Sequence, residues 1–259
     1  MLDSCVSELE LGAVLLAYRL KGESSDELAA MLCAAHRSFE PLHVQAGREH
    51  ARPVSIPSYN GARKTPNLVP LLSLLLAREG VPVLVHGVTE DPGGVTSAEL
   101  APKLARMLAL RRRMGVRNST HTLVKILSRS RSRGSGSSTT RTPSIARVFT
   151  GLFTAHPDAA SGSALLARGT KGEAVADTRR QVQADWFHDD RVETLISPEH
   201  SQPHAPHVEL PEALDAATTA RWMESVLRGD VPVPTAVARQ VEVIANVVRK
   251  PLDNQPNPI

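Results

Sequence analysis

The chain has 259 residues, a formal net charge of +3, 41% hydrophobic residues and only 3% aromatic ones. That length buries a sizeable core, which Leu, Val and Ala must build. No apolar run reaches the ~18 residues of a membrane span, Met1-Leu2-Asp3-Ser4 lacks the pattern of a signal peptide, and two cysteines, Cys5 and Cys33, are too few for a disulfide framework. Cytoplasmic residence is the resulting expectation. A pI near 9.1 is moderately basic, so the placement of charge matters more than its sum.

Residues 9 to 36 read as two helices. Leu9, Leu11, Val14, Leu15 and Tyr18 form an apolar stripe on the first, and Gly22 closes it behind Lys21. Ser24 and Glu27 make a capping box for the second, which turns Leu28, Met31, Leu32 and Ala35 inward. Two such short helices must dock on something else. The chain opens almost directly into an apolar helix, which implies an earlier one. Cys5 and Cys33 fit small core positions.

Val54-Ser55-Ile56-Pro57 reads as a strand running into the loop Ser58-Tyr59-Asn60-Gly61-Ala62-Arg63-Lys64. Thr65 is a candidate N-cap and Pro66 a candidate first residue of an almost wholly apolar, buried helix to about Glu79. Gly80 ends it, and Val81-Pro82-Val83-Leu84-Val85 is a buried strand. Strand, helix and strand predict a parallel, right-handed crossover. A second polar loop spans His86 to Gly94, and Thr96 with Glu99 makes another capping box. The helix that follows ends in Arg111-Arg112-Arg113-Met114-Gly115. After Val116-Arg117-Asn118-Ser119-Thr120-His121 a short helix runs to Leu127.

Residues 128–142 are low in complexity, with Arg129, Arg131 and Arg133 alternating with serine, and are expected to be mobile. Ala164-Leu165-Leu166-Ala167 is a third core strand ending in Arg168-Gly169-Thr170-Lys171-Gly172-Glu173. Residues 184–210 read as irregular or antiparallel β. Two helices, about 216–228 and 235–249, close the chain. The expected class is α/β: a parallel-sheet domain over 50–259, flanked by helices, with a small helical N-terminal domain over 1–45.

Three segments carry a resemblance: Tyr59-Asn60-Gly61-Ala62-Arg63-Lys64-Thr65-Pro66-Asn67, Val85-His86-Gly87-Val88 leading to Pro92-Gly93-Gly94, and Arg168-Gly169-Thr170-Lys171-Gly172-Glu173-Ala174-Val175. Lys21-Gly22-Glu23-Ser24 and Arg117-Asn118-Ser119-Thr120-His121 add to it. Together they resemble glycosyltransferase family 3, the nucleoside phosphorylase/phosphoribosyltransferase-like fold that includes anthranilate phosphoribosyltransferase. Within it the chain is most similar to the YbiB-type branch, whose characterised relatives bind nucleic acid.

The resemblance implies dimers formed through the helical domain and, in the enzymes, phosphoribosyl pyrophosphate with magnesium in the cleft. It also implies a Gly-Thr-Gly-Gly-Asp loop, a Lys-His-Gly-Asn-Arg loop and an Asp-Glu metal pair. The chain departs at all three: Ser58-Tyr59-Asn60-Gly61-Ala62 keeps one glycine, Val85-His86-Gly87-Val88 lacks the lysine and the Asn-Arg, and Lys171-Gly172-Glu173 keeps one acid, with Asp177 farther on. Close phosphate approach needs glycine backbone and magnesium needs several oxygens; both are weakened.

The sequence therefore points to a nucleic-acid binder on a phosphoribosyltransferase scaffold, directed at phosphate, weakly sequence-specific and homodimeric, with no cofactor. The alternative is a phosphoribosyltransferase acting with phosphoribosyl pyrophosphate and magnesium, in which His86 and Glu173 are the candidate catalytic residues. The candidate phosphate-binding residues are Tyr59, Asn60, Gly61, Arg63, Lys64, His86, Gly87, Arg117, Asn118, Arg168 and Lys171. Arg63 and Lys64 precede a helix N-terminus, which favours an anion, although solvated loop cations look the same. Arg111, Arg112 and Arg113 suit a helix C-terminus for structural reasons alone. The Ser-Arg tract is either an arm along a phosphate backbone or an idle insertion. His86 is either an acid–base group or a hydrogen-bonded cleft wall. Tyr59 offers one ring for stacking on a base. His204 and His207 lack a third metal ligand.

Overall fold

The computed structural model describes residues 5–38, 51–58, 65–87, 107–110, 113–116, 118–127, 135–140, 143–156, 163–170, 173–179, 181–198 and 208–251, with the backbone alone for 135–140 and 143–147. Helix α1 (Glu8–Lys21) starts at a capping box between Ser7 and Glu10 and stops at Gly22, whose φ of 80° only glycine adopts readily. Helix α2 (Ser25–His36) starts at the expected box between Ser24 and Glu27. Both helices bury one stripe, Leu11 and Leu15 on α1 and Leu28, Leu32 and Ala35 on α2. Leu9, expected on the buried stripe, is instead 84% exposed. It sits about 200° around the helix from Leu11, so the two cannot share a face. Cys5 and Cys33, expected in the core, are both exposed.

Strand β1 (Val54–Ser58), helix α3 (Val69–Arg78) and strand β2 (Val83–Gly87) form the expected unit, with β1 and β2 parallel and Ser58 opposite Gly87. The helix begins later than Thr65 and Pro66 suggested. Leu68 is the N-cap residue, Pro70 lies in the first turn, and the side chain of Asn67 accepts the Val69 N–H at 3.1 Å. A proline is tolerated in the first turn because its missing N–H is not needed there. Leu71, Leu72 and Leu76 are buried, but Leu74 is 46% exposed, so the helix is not buried on every side.

A short helix α4 (Thr120–Leu123) precedes strand β3 (Ser135–Thr140), helix α5 (Pro143–Ala155) and strand β4 (Ser163–Arg168). Strand β3 corrects part of the expected mobile tract. It pairs in parallel with both β1 and β4, in the middle of the sheet. A ladder needs backbone N–H and C=O groups and not large side chains, and Ser135-Gly136-Ser137-Ser138-Thr139-Thr140 supplies them. The rest of that tract, including Arg129, Arg131 and Arg133, lies outside the described residues, as do Thr96, Glu99, His204 and His207.

Strands β5 (Ala184–His188) and β6 (Arg191–Ile196) form an antiparallel hairpin that completes a six-stranded sheet in the order β2-β1-β3-β4-β5-β6. Its two-residue turn places Asp189 and Asp190 at φ of 44° and 60°, the left-handed values such turns require. Helices α6 (Ala216–Arg228) and α7 (Thr235–Arg249) close the chain with the expected bounds.

Side chains alternate across the sheet. Ala164, Leu166 and Phe187 face α1, α2 and Phe149, Leu152 and Phe153 of α5, whereas Leu165 and Trp186 face α3 and α7. The Trp186 indole N–H donates to the Ser163 hydroxyl at 2.7 Å, and the Lys250 ammonium sits 4.8 Å from its ring. Two arginines tie the helices together: Arg78 donates to the Leu227 carbonyl at the end of α6, and Arg249 to the Glu79 carbonyl at the end of α3. Arg52, at the start of β1, donates to the Val247 carbonyl at 2.8 Å. Burial pushes its guanidinium pKa down, against the opposing field of Asp189.

Candidate functional site

Because β1, β2, β3 and β4 run parallel, their carboxyl ends meet at one sheet edge, the edge where open α/β sheets gather their ligand loops. Ser58 ends β1, His86 and Gly87 end β2, and Arg168 ends β4. The β1 and β2 ends come unusually close. A Cβ built on Gly87 would lie 1.7 Å from the Ser58 carbonyl oxygen and 2.6 Å from its carbon. Only glycine fits there.

The loop after β4 folds back beneath this edge. Thr170 and Glu173 exchange backbone hydrogen bonds at 3.1 and 3.0 Å. The turn carries the Glu173 side chain inward, where it is wholly buried and accepts the Ser58 hydroxyl on Oε2 at 2.5 Å. On the far side Gln240 of α7 grips the same loop, accepting from the Ala176 N–H at 2.8 Å and donating to the Ala174 carbonyl at 3.2 Å. Asp177 is buried, and its Oδ1 accepts from the backbone N–H and the Nε of Arg179 at 3.1 and 3.4 Å.

The structure thus brings together Gly87, His86, Arg168 and Glu173 among the residues singled out from the sequence. His86 is 1% exposed, so it forms part of the wall and not an open acid–base group. Arg168 stands exposed at the end of β4. Asn118 is placed elsewhere. It is buried, its carbonyl oxygen accepts from the Thr120 N–H at 3.0 Å, and its amide donates to the Met107 carbonyl at 3.2 Å. The amide therefore ties the turn into α4 to the segment around Met107. Tyr59, Asn60, Gly61, Arg63, Lys64, Arg117 and Lys171 lie outside the described residues.

Sequence reasoning missed Ser58 and Gln240. Neither has a local signature, since each acts on a residue distant in the chain. Asn67 was missed as well: Thr65 was the expected cap, yet it is the Asn67 side chain that accepts the Val69 N–H, the capping role asparagine often takes just before an apolar helical run.

The acids among the described residues do not form a site that fits magnesium. The ion requires several oxygen ligands in near-octahedral order. Here one oxygen of the buried Glu173 is held by Ser58 and one of Asp177 by Arg179. Among the described residues no group of three His, Cys, Asp or Glu side chains could hold a metal ion. Among the same residues no helix is long and apolar enough to cross a membrane.

No family model matches the chain. It is similar in fold to anthranilate phosphoribosyltransferase from Saccharomyces cerevisiae. The structure of that enzyme in complex with PRPP and Mg superposes with a TM-score of 0.64 at 13% identity, over 95% of this chain and 78% of the other. Its complex with 4-fluoroanthranilate gives a TM-score of 0.65 at 12% identity, over 96% and 80%. At those identities the likeness establishes the fold. An uncharacterized protein of Aquifex aeolicus (strain VF5) is 26% identical over 147 residues, 49% of this chain and 46% of its own. The uncharacterized protein YbiB of Escherichia coli (strain K12) is 35% identical over 278 residues, covering 93% of this chain and 83% of the relative. By that identity and that coverage, the chain belongs to the YbiB family.

Proposed function

We propose that the chain is a cytoplasmic, homodimeric nucleic-acid-binding protein that grips phosphate at the carboxyl edge of its sheet, on a scaffold shared with anthranilate phosphoribosyltransferase. The observation that carries this reading is the fate of Glu173. Glu173, which the resemblance sets at the enzymes' metal pair, is buried and bonded to Ser58, while Arg168 is exposed at the end of β4. The sequence adds Arg63, Lys64 and Lys171 to the loops that leave the same edge. Cations there favour phosphate in general, so binding is steep in salt and poor in sequence discrimination. Exposed Leu9, Leu16 and Leu20 on α1 offer the apolar face for a dimer.

The test is a fluorescence-anisotropy titration with single- and double-stranded DNA across a salt series, with phosphoribosyl pyrophosphate as competitor. We expect binding to both, and the pair Arg63→Ala with Lys64→Ala lowers the magnitude of the log–log salt slope by about 1 to 2. Unchanged affinity and slope in that variant would remove this edge as the nucleic-acid site. The alternative is a phosphoribosyltransferase. It is supported by likeness of fold, and magnesium-dependent transfer to anthranilate above a blank would favour it.

A further inference from the structure

We infer that Glu173 is a positioning residue and not a metal ligand: its carboxylate ties the carboxyl end of β1 to the loop after β4, so that anions bind at this edge without a divalent cation. The anion-binding part of this inference rests on the reading of the edge given above; the tie itself does not.

Three observations converge on the tie. Ser58 and Glu173 are both wholly buried, and their hydrogen bond of 2.5 Å joins segments 115 residues apart. Ser58 is also the residue whose backbone packs against Gly87, so holding Ser58 sets the ends of β1, β2 and β4 together. Gln240 pins the other side of the Glu173 loop to α7, so the loop cannot swing outward to offer its carboxylate. A buried carboxylate is tolerated when it is hydrogen-bonded, and this one meets that need inside the fold.

The strut and metal roles separate on one conservative change. Glu173→Gln keeps an acceptor oxygen for the Ser58 hydroxyl but removes the charge a divalent cation needs. The full chain is compared with Glu173→Gln, Glu173→Ala, Ser58→Ala and the double alanine variant by thermal melting. Manganese, as a paramagnetic stand-in for magnesium, is titrated into each variant. We expect Glu173→Ala to melt about 4–10 °C below the wild type, the loss of a buried hydrogen bond, and Glu173→Gln, which keeps the acceptor, to melt between the two. The double variant should melt no lower than Glu173→Ala, because both changes remove one bond. Manganese should show no saturable site that depends on Glu173. A saturable manganese site lost in both Glu173 variants overturns the inference, and so does a glutamine variant that melts as low as the alanine one. In a third arm, a single-stranded DNA oligonucleotide should bind equally, within about a factor of two, in EDTA and in magnesium; a requirement for magnesium refutes cation-independent binding. If the melting and manganese results hold and the oligonucleotide does not bind, the tie stands, and both the nucleic-acid reading and cation-independent anion binding fall.

Discussion

Replacing Gly87 by alanine tests the geometry of the sheet edge directly. The added Cβ would lie 1.7 Å from the Ser58 oxygen, 2.6 Å from its carbonyl carbon and 3.3 Å from its Cα. All three are backbone atoms, so no side chain can rotate away. Ser58 is itself buried and bonded to Glu173, so its strand end cannot retreat without breaking that bond. Overpacking usually costs about 1–3 kcal/mol, and an obstacle made of backbone places this variant at about 3 kcal/mol or above. For a chain of this size that is a fall in melting temperature of about 6–12 °C, readable by differential scanning fluorimetry and checked by urea denaturation. Gly12→Ala is the internal control. It lies inside α1, and a Cβ added there would meet nothing within 4 Å, so alanine should stabilise by about 0.5–1 kcal/mol through helix propensity. The two glycine-to-alanine changes are thus expected to have opposite signs. A Gly87→Ala protein melting within about 1 °C of wild type would refute the close approach of β1 and β2.

Trp186→Ala should cost about 3–5 kcal/mol by urea denaturation, since it removes a ring 2% exposed and leaves the Ser163 hydroxyl without its donor. Ser24→Ala should cost about 1 kcal/mol and lower the helical circular-dichroism signal, because it removes the acceptor of the Glu27 N–H at the start of α2. The ammonium of Lys21, and then the Ser24 backbone N–H, hold the Glu27 carboxyl below the usual carboxylate range. A depressed carboxylate stabilises fully above its unfolded pKa and loses that contribution as pH falls through the folded value. An acid titration followed by circular dichroism should therefore show α2 loosening at and below the usual carboxylate range, and Glu27→Gln should flatten that part of the curve. Arg168→Ala should weaken oligonucleotide binding without altering the fold, because exposed substitutions usually cost under about 0.5 kcal/mol.

Much of the fold was legible because its signals are local. The capping box of Ser24 and Glu27, the stop at Gly22 and the bounds of α6 and α7 depend on residues within a few positions of one another. The apolar runs at 54–58, 83–87 and 163–168 fall at or within a few residues of their expected positions, and a helix between the first two makes the parallel arrangement follow. The departures from the glycine-rich loop and the acidic pair that the resemblance implies are likewise a matter of residue identity.

What the chain could not reveal locally was decided by partners far away. The serine- and glycine-rich tract reads as unstructured, yet residues 135–140 become the strand between β1 and β4, because a vacancy in a ladder is filled by backbone that carries no sequence signal. Leu9 looked like core until packing chose Leu11 and Leu15 as the buried face. The identity of Glu173 suggested a remnant metal ligand. Only the meeting of β1 with the loop after β4 turned its carboxylate onto Ser58, because a hydrogen bond spanning 115 residues exists nowhere but in the folded chain.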